Sequence, residues 1–457
     1  MNKKEILKQA LVLAVPMMIQ NGITNAVGLV DHIMVGSLGT EPMTAVSIVT
    51  QLLFVFTLAL FGGLSGPGIF TAQYYGQGNT EGVRISTRMK AIICVFITAA
   101  GIIAFLALRT PLFSLYLHGE SAEIDPEATM GYAGDYLNIM LLGLPAMAVS
   151  MIYSTTLRET GDSVKPMAAG ILSVVTDIIF NYLLIYGNFG FPQLGVRGAA
   201  AATVIARYFE MTALLLWTYL RRKKHPFLKG LWRTLKIPKA VFRKMLIKTI
   251  PILFNEFLWA AGLAALTQCY STRGLSVVAG INISNVLCNL FNVVFVALGH
   301  SVGILVGQLL GAGRFDDARK SSFTLTVFTA LLCTGLTLGL IALSGVFPQL
   351  YDTTDDVRGL ASGFIVITAL FFPVQGILNS LYFTLRSGGK TLITFVFDSV
   401  FSWLVTVPAA LLICNLTALP VLTVYAIIQG IDIFKIIIGA VMIKKGIWIT
   451  NLTEISA

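Results

Sequence analysis

The sequence predicts an all-α polytopic membrane protein whose twelve transmembrane helices form two parallel-repeat six-helix lobes. Three observations predict it. Hydrophobic residues fill 56% of the 457 positions, charged residues only 12%, and mean hydropathy is +0.81. Apolar runs able to cross about 30 Å of hydrocarbon recur along the whole chain, separated by short polar turns. Landmarks of the first half also return in the second at a nearly constant spacing.

The charged share is about half that of an ordinary soluble domain, and no soluble core hides so much apolar surface. The first span is expected at 10–34. Its leader Met1-Asn2-Lys3-Lys4 imitates a signal peptide, but the segment is too long, holds Pro16, Asn21, Asn25 and Asp31, and lacks a small-residue cleavage site, so it reads as a retained helix. The next spans are expected at 44–70, 89–110, 131–157, 167–187 and 198–220. A basic stretch at 221–244, with Pro226 and Pro238, then reads as a hinge-like linker. Beyond it the spans are 245–269, 278–308, 320–343, 357–384, 392–414 and 418–443. The domain expectation is a first lobe at 1–220, the linker at 221–244 and a second lobe at 245–457.

An even count of spans puts both termini on one side. That side collects Lys3, Lys4, Lys8, Arg84, Arg88, Lys90, the basic stretch, Arg314, Arg319 and Lys320, whereas the opposite loops hold Arg109, Arg197, Arg273 and Arg358. The asymmetry predicts cytoplasmic termini in a bacterial cytoplasmic (inner) membrane. It also explains the net charge of +10 without a nucleic-acid partner, because no basic fold stands apart from the spans. Cys94, Cys269, Cys288, Cys333 and Cys414 all lie in apolar runs without CxxC spacing, which predicts packing rather than disulfides or zinc. The chain is expected to be a monomer whose partners are the bilayer and a small organic substrate.

The repeat rests on several anchors. Gln73, Gly76, Gly78 and Arg84 match Gln308, Gly311, Gly313 and Arg319 at an offset of 235, which Pro16 and Pro251 share. Pro145, Leu157-Arg158 and Gly161 match Pro373, Leu385-Arg386 and Gly389 at an offset of 228. Six spans per half give both halves the same orientation. A parallel repeat of this kind predicts a cavity where the lobes meet, exposed to either side as they rock.

Polar groups inside spans are costly and mark candidate sites. In the first span Asn21, Thr24, Asn25, Gly28 and Asp31 fall within an arc of roughly 120°. Pro16 removes a hydrogen bond upstream and predicts a bend; Pro251 is its mate. Asp31 is then either a buried carboxylate or a wet residue at the outer headgroups. In the fifth span Ser173, Asp177 and Asn181 stack at intervals of four, as a cation site beside Asp31 or as a helix–helix hydrogen bond. The seventh span carries Asn255 and Glu256, with Glu256 at the repeat position of Asn21. In the eighth, Asn282, Asn285, Asn289 and Asn292 share an arc of about 80°, lining a cavity or joining helices. Gln375, Asn379 and Asp398 add polar groups to the second lobe. Arg207 with Glu210, and Asp432 with Lys435, are i,i+3 pairs expected to neutralise each other structurally. His32, His118, His225 and His300 show no partner pattern.

The chain lacks GxxxxGK[ST], HExxH and GxSxG, so neither an ATP-driven motor nor intramembrane enzymology is encoded. The residues do resemble those of the multidrug and toxic compound extrusion (MATE) family of secondary transporters, over nearly the whole chain. The resemblance is carried by Pro16, by Val30-Asp31-His-Ile-Met-Val-Gly36-Ser-Leu-Gly39 and by the doubled Gln-x-x-Gly-x-Gly turn. Leu157-Arg158-Glu-Thr-Gly161-Asp162, Leu194-Gly195-Val-Arg-Gly198-Ala-Ala and Asn255-Glu256 complete it. It implies an antiporter that exports organic, often cationic compounds in exchange for H+ or Na+, with no other cofactor. It also implies a first-lobe cation site, open to Na+, built from Asp31, Asp177 and Asn181, with Thr203 beside them. The family often shows Asn then Asp in the fifth helix; here the order is Asp177 then Asn181. Substrate-cavity candidates are Asn21, Asn25, Glu256, Asn282, Asn285, Asn289 and Gln375. The alternative function is a flippase for lipid-linked intermediates, which would want a cationic cavity; a channel or structural membrane protein is the third reading.

Overall fold

A computed structural model describes residues 2–117 and 125–454. His118 lies outside the described residues. Twelve helices long and apolar enough to span a bilayer follow one another, with no strand among the described residues. They are α1 (Lys3–Gly36), α2 (Thr40–Gly76), α3 (Thr80–Leu117), α4 (Pro126–Glu159), α5 (Val164–Tyr186) and α6 (Val196–Leu220). Then come α7 (Lys239–Ser271), α8 (Leu275–Gly311), α9 (Phe315–Ser344), α10 (Asp355–Ser387), α11 (Thr391–Leu416) and α12 (Val421–Lys444). Every expected span lies within one of these helices or overruns its end by a few residues. Pro16, Pro145, Pro251 and Pro373 all lie inside helices.

The parallel repeat is visible in backbone geometry. Gly78 and Gly313 adopt φ of +74° and +72°, and Gly161 and Gly389 adopt +88° and +72°. Each closes its helix with the same paired hydrogen bonds. After α2, Gly78 N–H donates to Tyr75 O at 2.9 Å and Asn79 N–H to Tyr74 O at 2.9 Å. After α8, Gly313 N–H donates to Leu310 O at 3.1 Å and Arg314 N–H to Leu309 O at 2.9 Å. This is the left-handed helix stop that glycine adopts without steric cost.

The chain divides into two compact units. An N unit comprises Ile19–Thr71 and Thr80–Met245; a C unit comprises Met1–Met18, Ala72–Asn79 and Leu246–Ala457. The division of α1 falls just past Pro16.

In the N unit, α4 and α5 both pack closely on α6. Lys90 is fully buried, donating to Glu159 at 2.5 Å and to Thr155 and Thr156 at 3.1 and 3.2 Å. It therefore acts as an internal tie between α3 and α4, not only as a loop charge. The basic stretch is also less free than its composition predicts. Phe227, Leu228 and Leu231 are buried, Arg84 donates to Phe227 O at 3.1 Å, and Arg88 donates to Leu231 O at 2.8 Å. Trp232 donates to the Tyr153 hydroxyl at 2.9 Å. The residues around 226–232 are thus docked on the N unit, because apolar side chains inside the basic run gain more from burial than from solvent.

In the C unit, α10 packs along α8 and α9. The turn after α2 meets its repeat mate here: a Cβ on Gly76 would sit 1.9 Å from Gln308 O, and one on Gly311 would sit 1.9 Å from Gln73 O. Only glycine fits either position. Gln73 donates to Ser387 O at 2.9 Å and accepts from Leu452 N–H at 2.7 Å, which ties the turn to the C-terminal segment. Trp448 of that segment is buried against Ile6, Leu309 and Leu385.

Candidate functional site

The N unit brings together the carboxylates of α1 and α5. Asp31 comes from the distal half of α1; Asp177 and Asn181 come from one face of α5, a turn apart. The Asn181 amide spans them, donating to Asp31 Oδ1 at 2.9 Å and to Asp177 Oδ2 at 3.4 Å. Asp177 and Asn181 are buried, and Asp31 is half-buried. Thr203 of α6 and Tyr136 of α4 flank the pair. Ser173, a turn below Asp177, is spent on Ala206 O at 3.1 Å and so ties α5 to α6.

Two oxygens of this cluster are orphaned. Asp177 Oδ1 and Asn181 Oδ1 are buried and have no hydrogen-bond partner among the described residues. Burying an unpaired polar atom costs about 1–3 kcal/mol, so such atoms in a native fold call for a partner. A proton or a small hard cation with a preference for oxygen ligands suits this donor set. The nearest fixed cation of α6, Arg207, is bound to Glu210 at 3.2 Å, the i,i+3 pair expected from the sequence.

The C unit holds a second polar cluster that differs in kind. Lys435 of α12 is buried, with Nζ 3.3 Å from Asp432 Oδ1 and 3.7 Å from Asp398 Oδ1. It also donates to Ser402 Oγ at 3.0 Å. The remaining carboxylate oxygens are held from outside: Asn255 donates to Asp398 Oδ2 at 3.1 Å and Gln375 to Asp432 Oδ2 at 2.7 Å. Asn255 also reaches the Tyr382 hydroxyl at 3.2 Å. The Asp432–Lys435 pair read from spacing is thus one edge of a larger network, and Gln375 is a clamp within it. Sequence reasoning noted Asp398 and Asn255 without placing them here, and it missed Tyr136 and Tyr382 altogether.

Other candidates fall elsewhere. Asn282, Asn285 and Asn289 are exposed along one face of α8, and Asn292 donates to Asn289 at 3.2 Å. Asn25 is exposed, while Asn21 and Glu256 are half-buried. The five cysteines are buried and form no disulfide. At the turn between α4 and α5, His225 of the basic stretch stands with Nε2 2.8 Å from Nζ of Lys165 in the first turn of α5, and both contact Asp162. Burial works to raise the Asp162 carboxyl, but bonds from His225 and Lys165 and the lysine charge hold it well below the ordinary carboxylate range.

Known proteins resemble this chain in sequence and in fold. The family model MatE matches residues 16–183 and 251–412, two segments that open on Pro16 and Pro251. Over 429 residues the chain is 29% identical to "Probable multidrug resistance protein YoeA" of Bacillus subtilis, covering 93% of this chain and 90% of that protein. It is 24% identical over 453 residues to "Probable multidrug resistance protein NorM" of Thermotoga maritima, covering 97% and 93%. Among solved structures, the Vibrio cholerae MATE transporter VcmN in its bent form matches with a TM-score of 0.85 over 97% of both chains at 18% identity, a likeness of fold.

Proposed function

Because the chain belongs to the MatE family of membrane transporters, we propose that it exports small organic cations across the cytoplasmic membrane by alternating access, in exchange for H+ or Na+. The relatives named for multidrug resistance support export of small organic compounds, and the acidic N-unit cluster favours cationic ones. The observation that carries the coupling mechanism is the Asp31–Asn181–Asp177 cluster with its two orphaned oxygens.

With either carboxylate ionised, the Asp31–Asp177 cluster carries negative charge in a medium where charge is expensive. An organic cation and a proton or Na+ then compete for the same charge. A ligand shifts a conformational equilibrium only by its differential affinity for the two states, so neutralisation of Asp31 or Asp177 is what would release the exported cation. Asn181 positions both acids, and Thr203 contributes a further oxygen beside Asp177. Both termini are assigned to the cytoplasm from the distribution of basic residues. The flippase alternative is disfavoured because Arg207 and Lys435 are each matched by carboxylates, leaving little cationic surface for a diphosphate headgroup.

Proteoliposomes with separately imposed pH and Na+ gradients test the proposal. Efflux of a fluorescent organic cation should follow one of the two gradients in the native protein and fall at least tenfold in Asp31→Asn. Gradient-independent efflux, or an Asp31→Asn variant that retains native rates, would refute it.

A further inference from the structure

Lys435 occupies an oxygen cage. Its ammonium faces Asp432 Oδ1, Asp398 Oδ1 and Ser402 Oγ at 3.3, 3.7 and 3.0 Å. Each carboxylate has its other oxygen fixed by an amide, so both inner oxygens are aimed in advance. The Phe401 ring lies 5.5 Å from Nζ and adds a cation–π face. Beyond this shell stand Glu256, Arg386 and Tyr382.

Helical hydrogen bonding departs from the regular α pattern on both sides of the cage. In α11 two π-helical turns, Val396–Val400 and Ser402–Thr406, carry Asp398 and Ser402. In α12 the helix runs on through Ile431, whose N–H is shared between Ile427 O and Ile428 O at 3.2 Å immediately before Asp432. π-Turns inserted into α-helices are frequent at functional sites. Two carboxylate oxygens and one hydroxyl facing inward form a partial ligand shell for a monovalent cation, and here a lysine supplies the charge.

We propose that Lys435 is a tethered cation that takes the place of an external ion in the C unit, and that the cage of Asp398, Asp432 and Ser402 binds Na+ once the ammonium is removed. The inference deepens the exchange reading, on which its transport consequence rests: external cations enter the cycle through the N unit alone. Its structural part stands apart from that reading, because it concerns stability rather than flux.

The test is thermal unfolding of the purified full chain in detergent, in choline chloride and in NaCl at matched ionic strength, with every variant prepared in NaCl. Native protein and Lys435→Met are compared with Lys435→Met/Asp398→Asn, in which the excess negative charge is also removed. Lys435→Met should melt several degrees below native protein in choline. NaCl should restore most of the loss saturably, by an increment larger than native protein shows. The double variant should regain stability in choline and lose the added Na+ response. Equal melting of Lys435→Met in the two salts overturns the proposal, as does native-like melting in choline. Recovery of the double variant alone, with Lys435→Met unobtainable even in NaCl, overturns it as well.

Discussion

The two units carry the same helical repeat but opposite charge bookkeeping. In the N unit, Asp31 and Asp177 share one asparagine, and two buried oxygens are left without partners. In the C unit, Asp398 and Asp432 share one lysine, and every carboxylate oxygen is engaged. At the offset of 235, Asp31 corresponds to Leu266; at the offset of 228, Asp177 and Asn181 correspond to Val405 and Ala409, while Lys435 corresponds to Arg207. Arg207 is drawn off by Glu210, whereas Lys435 serves both acids of its cluster. On the proposed reading, a duplicated scaffold holds one site that takes a mobile cation and one that carries its own. Removing a partner from a buried ion pair costs about 3–5 kcal/mol, so the C-unit cluster is held shut. The N-unit cluster has no such lock.

Matched substitutions of the two clamping asparagines sharpen this contrast most. Asn181→Ala removes the amide between Asp31 and Asp177, and gradient-driven efflux should fall about tenfold, the weight of one hydrogen bond to a charged group at roughly 1.5 kcal/mol. Its melting temperature should fall as well, because two carboxylates lose a buried donor. Asn255→Ala should likewise lower stability, by about 1–3 kcal/mol, but with the ion dependence of efflux retained. If both variants lose coupling alike, the distinction between the clusters breaks.

A smaller effect is expected at Asp162, a fully partnered acid of the N unit outside the spans. Its carboxyl is held low by His225 and Lys165, so it stabilises the fold above the unfolded-state value of about 3.9 and loses that contribution as pH falls toward its lower folded value. Asp162→Asn should cost about 1.5 kcal/mol near pH 7, with the gap closing below about pH 4. Denaturation as a function of pH reads this directly, and efflux should keep its native ion dependence.

The fold was legible because membrane spans announce themselves by length and hydropathy, and because glycines at forced left-handed stops, such as Gly78 and Gly313, cannot drift without penalty. Asp31, Asp177 and Asn181 stood out for a related reason: a carboxylate in an apolar run is expensive and its neighbours at intervals of four are few. The C-unit network was harder to see. Its members come from α7, α10, α11 and α12, and sequence spacing reveals only the Asp432–Lys435 edge. The π-turns of α11 also shift the register of the side chains that follow, which spoils a 100° projection. Tyr136 carried no signal, since a tyrosine in a membrane helix is ordinary. The docking of the basic stretch was hidden by its charge, although Phe227, Leu228, Leu231 and Trp232 within it were the clue.

The central claim is that the carboxylates of the N unit serve either an exported cation or a coupling ion, never both together. Equilibrium binding of a fluorescent organic cation to purified protein, titrated with Na+ and with acid, tests it most directly. The account predicts competitive displacement by one of these ions in the native chain and its disappearance in Asp177→Asn, with displacement preserved in Asn255→Ala. Simultaneous binding of probe and ion, or unaltered competition in Asp177→Asn, would contradict it.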